Sequence, residues 1–269
     1  MELVDAIILG LVQGVTEFLP ISSSGHLVLV RGWLQIDGIN ALAFDAILHF
    51  ATTLAVIIYF RGDIWRLFQT LLRKLGRLPV REKDMVLLYA IIIGTIPAVV
   101  IGVFLESIVA TYLQSVLIVA GVLFVASIFF LYAEWRYSVS PPHGELTIKR
   151  AIQIGFFQAL ALLPGMSRSG ATIAGGMLMG LTRLEATRFS FLLAIPITLG
   201  AGSKKTLDLL QEQGTVAWTE IGVGAVVAFI TALIVIHFFL SFIRKNSLWP
   251  FIWYGIILSG LVGYTALIA

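Results

Sequence analysis

The chain has 269 residues, 18 Lys plus Arg against 15 Asp plus Glu, 59% hydrophobic residues and only 12% charged ones. A soluble domain carries about 25% charged residues, so an ordinary soluble enzyme is excluded; disordered and collagen-like chains are excluded too, because Gly and Pro are modest and the apolar content is high. The composition is that of a multi-span membrane protein, and its zero cysteines rule out disulfides, thiolate metal sites and cysteine nucleophiles.

The first five residues, Met1-Glu2-Leu3-Val4-Asp5, carry acid where a signal peptide needs basic residues, so the first apolar run is expected to stay in the mature protein. That run, about 4–35, is interrupted by Pro20 and Ser22-Ser23-Ser24-Gly25. Each half is too short to cross a bilayer, and irregular backbone at membrane depth needs protein or a water-filled cavity around it. A re-entrant helix-loop-helix hairpin is predicted. Three full spans follow, at about 41–60, 85–105 and 112–133. A second interrupted stretch, about 150–182, breaks at Pro164-Gly165 and Ser167-Arg168-Ser169-Gly170 and predicts a second hairpin. Spans at about 184–203, 218–243 and 249–268 complete six.

The two halves look like copies. A shift of 145 takes Ser22 to Ser167, Ser24 to Ser169, Gly25 to Gly170, Phe44 to Phe189, Leu48 to Leu193 and Thr53 to Thr198. Repeats over about 1–135 and 148–269, each with one hairpin and three spans, must be inverted relative to each other because three is odd. The predicted fold is a single all-α integral membrane domain of six transmembrane helices plus two re-entrant hairpins in an inverted-topology repeat.

Charge sets the orientation. The segment after the first span holds Arg61, Arg66, Arg73, Lys74, Arg77, Arg81 and Lys83, whereas 106–111 holds no basic residue. The first is therefore cytoplasmic, and fourteen of the 18 basic residues fall inside, with Arg31, Lys204 and Lys205 outside and Arg168 in a hairpin tip. Both termini are predicted outside, the hairpins open to opposite sides, and their tips meet near the midplane. The basic loop 61–84 reads as a membrane-surface stretch against anionic headgroups. The net charge of +3 is explained by this bias, and no nucleic-acid partner is expected.

Chemistry is concentrated at the two breaks. Gln13 and Glu17 are four apart and share one helix face, and Pro20 ends that helix near Leu19, which aims the carboxylate at the break. Ser22, Ser23 and Ser24 are good N-caps for the next short helix, whose free N–H groups favour an anion; Gly25 permits close packing and His26 falls in the first turn. In the second tip, Arg168 costs roughly 2.5–3.5 kcal/mol at the bilayer centre and calls for a buried anion. It is flanked by the hydroxyls of Ser167, Ser169 and Thr172. That anion is a phosphate or, as a bridge between the repeats, Glu17. A carboxylate, an imidazole, a guanidinium, several hydroxyls and two helix N-termini are what phosphoryl transfer needs. No Walker A loop, nucleotide-type Gly-rich loop or zinc-type His cluster is present.

These strings, Gln13 to His26 and Pro-Gly-Met-Ser-Arg-Ser-Gly-Ala-Thr at 164–172, together with Phe44-Asp45 and 175–180, closely resemble the bacterial undecaprenyl-diphosphatase family, the bacitracin-resistance phosphatases. The likeness covers essentially the whole chain. It implies a hydrolase of the bacterial plasma membrane that converts undecaprenyl diphosphate to undecaprenyl phosphate and inorganic phosphate, recycling the lipid carrier for peptidoglycan synthesis. It also implies a divalent cation, Mg2+ or Ca2+. The family's acidic motif lands on Gln13 and Glu17 in its Gln form, so a metal here leans on Glu17, substrate phosphates and water. Its Ser-Gly-His element lands on Ser23, Ser24, Gly25 and His26, and its Ser-Arg-Ser element on Ser167, Arg168 and Ser169, with Thr172 following. The type 2 phosphatidic-acid phosphatases share similar elements but place a second histidine where Ala174 stands.

His26 is the preferred nucleophile, because neutral imidazole needs no strong base; the competing scheme uses Ser23 or Ser24 with His26 as base. His49 is expected to be a packed or cavity-lining side chain, and Asp45 to support the site. The expected partners are a polyprenyl diphosphate and the bilayer, with pairing into a homodimer left open. The rival function is a carrier for an anionic or prenyl-phosphate substrate, since inverted repeats with broken helices also mark secondary transporters.

Overall fold

The structure, a computed structural model, describes residues 2–36, 41–113, 115–140, 142–211 and 217–268. Those residues form eleven helices and no strand: α1 (Leu3–Thr16), α2 (Ser23–Leu34), α3 (Ala41–Tyr59), α4 (Arg61–Leu75), α5 (Glu82–Tyr112), α6 (Val116–Val139), α7 (Ile148–Leu160), α8 (Arg168–Leu178), α9 (Arg183–Gln211), α10 (Trp218–Ile243) and α11 (Trp249–Ile268). Stretches of α5, α6, α9 and α10 are long and apolar enough to cross a bilayer. A fifth crossing is reached if α3 and α4, bent 80° at Phe60, are taken together. The protein is thus an all-α, multi-pass membrane protein. Its outward faces agree with that solvent: Val103, Phe104, Phe238 and Ile257 are largely exposed along the long helices.

Both interrupted stretches are short helix pairs. In the first, α1 ends at Thr16 and α2 begins at Ser23; in the second, α7 ends at Leu160 and α8 begins at Arg168. The two N-caps are alike. Ser22 has φ 68° and ψ 94°, Ser167 has φ 60° and ψ 109°, and each Oγ accepts from the backbone N–H three residues on, Gly25 at 3.3 Å and Gly170 at 3.2 Å. Positive φ is costly for a residue with a Cβ, and here it falls at the apex of both tips.

The segment expected as a basic surface loop is instead helical over Arg61–Leu75. Trp65, Phe68, Leu72 and Leu75 recur at i, i+3, i+7 and i+10 and are exposed along one side of α4, while Arg66, Arg73 and Lys74 lie between them. That is an amphipathic helix turned out of the bundle, with the form of an interfacial anchor.

Packing follows crossed pairs, α1 against α10, α7 against α5, α3 against α9 and α6 against α11. Two of these crossings are backbone-to-backbone. A Cβ on Gly10 would come within 2.5 Å of the Gly224 carbonyl oxygen, and one on Gly155 within 2.2 Å of that of Gly94, so only glycine allows the helices to touch there. Where α3 meets α9, the hydroxyls of Thr53 and Thr198 are 2.7 Å apart. Phe18, beyond the end of α1, packs edge-on to Phe191 of α9 at 5.0 Å between ring centroids, fixing the first tip to the bundle core.

Candidate active site

The two tips meet. Arg168, the first residue of α8, donates through Nη2 to Glu17 Oε1, and Ser169 Oγ donates to the Leu19 carbonyl at 2.9 Å. Glu17 is 5% exposed, so its carboxylate needs compensation. Its other oxygen receives it from three directions: Ser23 Oγ at 2.7 Å, Gln13 Nε2 at 2.9 Å and His49 Nδ1 at 3.0 Å. The helical four-residue spacing of Gln13 and Glu17 brings the first pair together, and α3 supplies His49.

A cavity of about 280 Å³ lies against this cluster, lined by Glu17, Ser22, Ser23, Ser24, His49 and Arg168 among others. Ser23 is part-buried with its hydroxyl directed at a carboxylate, the arrangement of a nucleophile beside its base. Arg168 spends one nitrogen on Glu17, while its Nη1 is buried with no hydrogen-bonding partner among the described residues. A guanidinium with one arm held and one free is suited to grip a phosphoryl oxygen.

Three or more acidic, His or Cys residues placed to hold a metal do not occur among the described residues. Mg2+ does not require such a cage, since it keeps several waters and uses one or two carboxylates plus substrate phosphates. Gln13 Oε1, a buried acceptor without a partner among the described residues, beside Glu17, is an oxygen set that fits such a cation.

The family model for bacitracin resistance protein BacA matches residues 6–261, nearly the whole chain. The chain belongs to the bacitracin resistance protein BacA family. Similar relatives include the undecaprenyl-diphosphatase of Micrococcus luteus, 42% identical over 266 residues that cover 97% of this chain and 96% of that protein. That of Saccharophagus degradans is 41% identical over 262 residues, 96% of each chain, and that of Alteromonas mediterranea 40% over 265 residues, 97% of this chain and 98% of that protein.

Among the site residues expected from sequence, this BacA-family chain brings Gln13, Glu17, Ser22, Ser23, Ser24, Ser167 and Arg168 to or against one cavity. Gly25 and Ser169 stand behind it, the first donating to Ser22 Oγ, the second holding the Leu19 carbonyl. Thr172 turns into the α8–α9 contact and bonds Ser190 Oγ and the Arg168 carbonyl.

His26 lies elsewhere. Its Nδ1 is 2.7 Å from the Ser22 carbonyl and its Nε2 is 2.7 Å from the Tyr254 hydroxyl, and the ring lines a separate apolar groove between α1, α2 and α11. Both nitrogens are occupied, which leaves no free lone pair for attack. The preference for His26 as nucleophile therefore lacks a geometric basis, and the imidazole instead ties the first tip to α11.

Of the two side chains on α3, one departs from expectation and one meets it. Asp45 binds Arg31 in a bidentate pair, 2.6 Å for each bond, and does not line the cavity. His49 lines the cavity as expected, and it also touches Glu17 and Gln13. Two polar residues of the lining that were not assigned to the site from sequence are Gln158 and Thr198, at the 145-residue offset from Gln13 and Thr53. That offset is the signal that could have found both.

Proposed function

We infer that this chain is an undecaprenyl-diphosphate phosphatase: a membrane hydrolase that splits undecaprenyl diphosphate into undecaprenyl phosphate and inorganic phosphate, and so returns the lipid carrier to peptidoglycan synthesis. Family membership supports the reaction. The observation that carries it to particular atoms is the 2.7 Å contact of Ser23 Oγ with Glu17 in a cavity shared with the free arm of Arg168.

The mechanism proceeds in two steps. Arg168 Nη1 and the N–H groups at the starts of α2 and α8 bind the terminal phosphoryl oxygens, where negative charge accumulates. Glu17 takes the Ser23 proton, Ser23 Oγ bonds to the terminal phosphorus, and the bond from that phosphorus to the bridging oxygen breaks, releasing undecaprenyl phosphate. Water then cleaves the phosphoserine, regenerating Ser23 and giving phosphate. Gln13 and His49 hold Glu17 in place through both steps. A divalent cation, Mg2+ or Ca2+, held by Glu17, Gln13 and the substrate, would supply neutralisation of the diphosphate charge.

The remaining architecture is proposed as six spans and two hairpins in an inverted repeat, with halves at about 1–135 and 148–269. The matched strained serines at 22 and 167 and the matched glycine crossings at 10 and 155 support it. The basic residues on α4 support a cytoplasmic side for that helix, and hence outside termini in a bacterial plasma membrane.

The test is phosphate release by detergent-purified protein given a polyprenyl diphosphate, with and without Mg2+ or Ca2+. Cation-dependent release is expected. Silence at every pH and cation, with flux of the substrate in vesicles, would favour the carrier instead.

A further inference from the structure

Gln158 is a buried amide with nothing to do in the protein alone. It sits on α7, is 2% exposed, and faces the same cavity as Glu17, Ser23 and Arg168. Neither its Nε2 nor its Oε1 has a hydrogen-bonding partner among the described residues. Burying an amide unpaired is expensive, and an apolar side chain of similar shape avoids that penalty.

Its counterpart 145 residues earlier shows what is missing. Gln13 occupies the same position on α1 and is held by the carboxylate four residues on, Glu17. Four residues after Gln158 stands Leu162, which lines the cavity but offers no acceptor. Gln158 is thus set as Gln13 is set, with its local partner removed and its amide left to the cavity.

The chemistry of the unmet demand is specific. An amide offers a donor and an acceptor together. A fully ionised phosphate can accept from Nε2 but has nothing to give Oε1. A phosphoryl oxygen beside a water satisfies both, and the reaction consumes one water per turnover. Glutamine serves this purpose in other phosphoryl-transfer sites.

We propose that Gln158 is a catalytic residue that holds the hydrolytic water. Its Nε2 donates to a phosphoryl oxygen and its Oε1 accepts from the water that attacks the phosphoserine. The water oxygen bonds to phosphorus and the P–Oγ bond to Ser23 breaks. Glu17 returns to that oxygen the proton it took, and the proton shed by the water leaves with the phosphate. The assignment rests on Ser23 as nucleophile, and its test separates the two.

The experiment compares wild type with Gln158→Met, which keeps length and removes both polar groups, and with Gln158→Glu, which keeps the acceptor and loses the donor. Each is given polyprenyl diphosphate labelled in the terminal phosphate. Gln158→Met is expected to unfold in detergent at the wild-type temperature or above, and both variants to lose about a hundredfold in kcat and to release one equivalent of prenyl phosphate in a burst while label stays on the protein. Turnover of Gln158→Met within about threefold of wild type, or a loss confined to KM, would overturn the water-holding role. A hundredfold fall in kcat with no labelled protein would overturn Ser23 as nucleophile, and with it the attack of the held water on a phosphoserine.

Discussion

Arg168 and Glu17, 151 residues apart in sequence, meet as an ion pair across two hairpin tips, with the carboxylate almost fully buried. The pair leaves Nη1 of the guanidinium buried without a hydrogen-bonding partner among the described residues, beside the cavity that Arg168 lines. Breaking such a buried pair by removing one partner costs about 3–5 kcal/mol, yet here Ser23, Gln13 and His49 still support Glu17. Arg168→Ala is therefore expected to remain folded and to lose at least about a hundredfold in phosphate release. Arg168→Lys should recover little, because a point charge cannot hold carboxylate and phosphate at once. Steady-state phosphate assays on both variants check this; near-normal turnover of the alanine variant would refute the assignment.

The covalent intermediate discriminates between nucleophiles. Because His26 spends both nitrogens on Ser22 and Tyr254, labelled phosphate trapped on the protein should be stable in acid and map to Ser23 by peptide mass analysis. An acid-labile adduct on His26 would reinstate the imidazole as nucleophile.

Thr53 and Thr198 meet hydroxyl to hydroxyl where α3 crosses α9. The chain has no cysteine of its own, so a Thr53→Cys, Thr198→Cys double variant should form a single disulfide under mild oxidation, visible on a non-reducing gel. Because Thr198 also lines the cavity, the comparison is between the cross-linked and the reduced forms of the same double variant, whose phosphate release should agree within a few-fold. A carrier that rocks one half against the other would be stopped by the same bond.

The glycine crossings are steric requirements. Gly155→Val places carbon where the Gly94 carbonyl already sits, and overpacking of this kind costs typically about 1–3 kcal/mol. A clear fall in the melting temperature in detergent is expected, and so is one for Gly10→Val against Gly224. An unchanged melting curve for either would contradict the close approach.

A cysteine placed at Arg73 on α4 should react with a membrane-impermeant thiol reagent only after the cells are opened. Labelling from outside intact cells would invert the proposed orientation.

What could be seen in the sequence was mostly local chemistry. Pro20 and the serine triplet mark the first tip, Pro164-Gly165 and Arg168 the second, and the structure breaks its helices at both. The four-residue spacing of Gln13 and Glu17 already places them on one face. Harder to see was anything set by distant contacts. His49 reaches Glu17 because α3 passes the first tip, which no local pattern records, and His26 is turned away by Tyr254, 228 residues later. Asp45, near the start of α3, pairs with Arg31, near the end of α2, a contact between two elements that no pattern within either one records. The helix in 61–75 was legible in the period of Trp65, Phe68, Leu72 and Leu75, but its 80° turn out of the bundle follows from packing. A long α5 starting at Glu82, ahead of the apolar stretch expected from 85, shows the same limit: hydropathy marks the lipid-facing part of a helix and not its end.

The most direct measurement is the rate of phosphate release from undecaprenyl diphosphate by Ser23→Ala, assayed beside a wild-type sample of equal melting temperature. With the proposed nucleophile removed and Glu17, Arg168 and the cavity intact, the rate should fall by at least about a thousandfold. A rate within a few-fold of wild type would contradict the account at its centre.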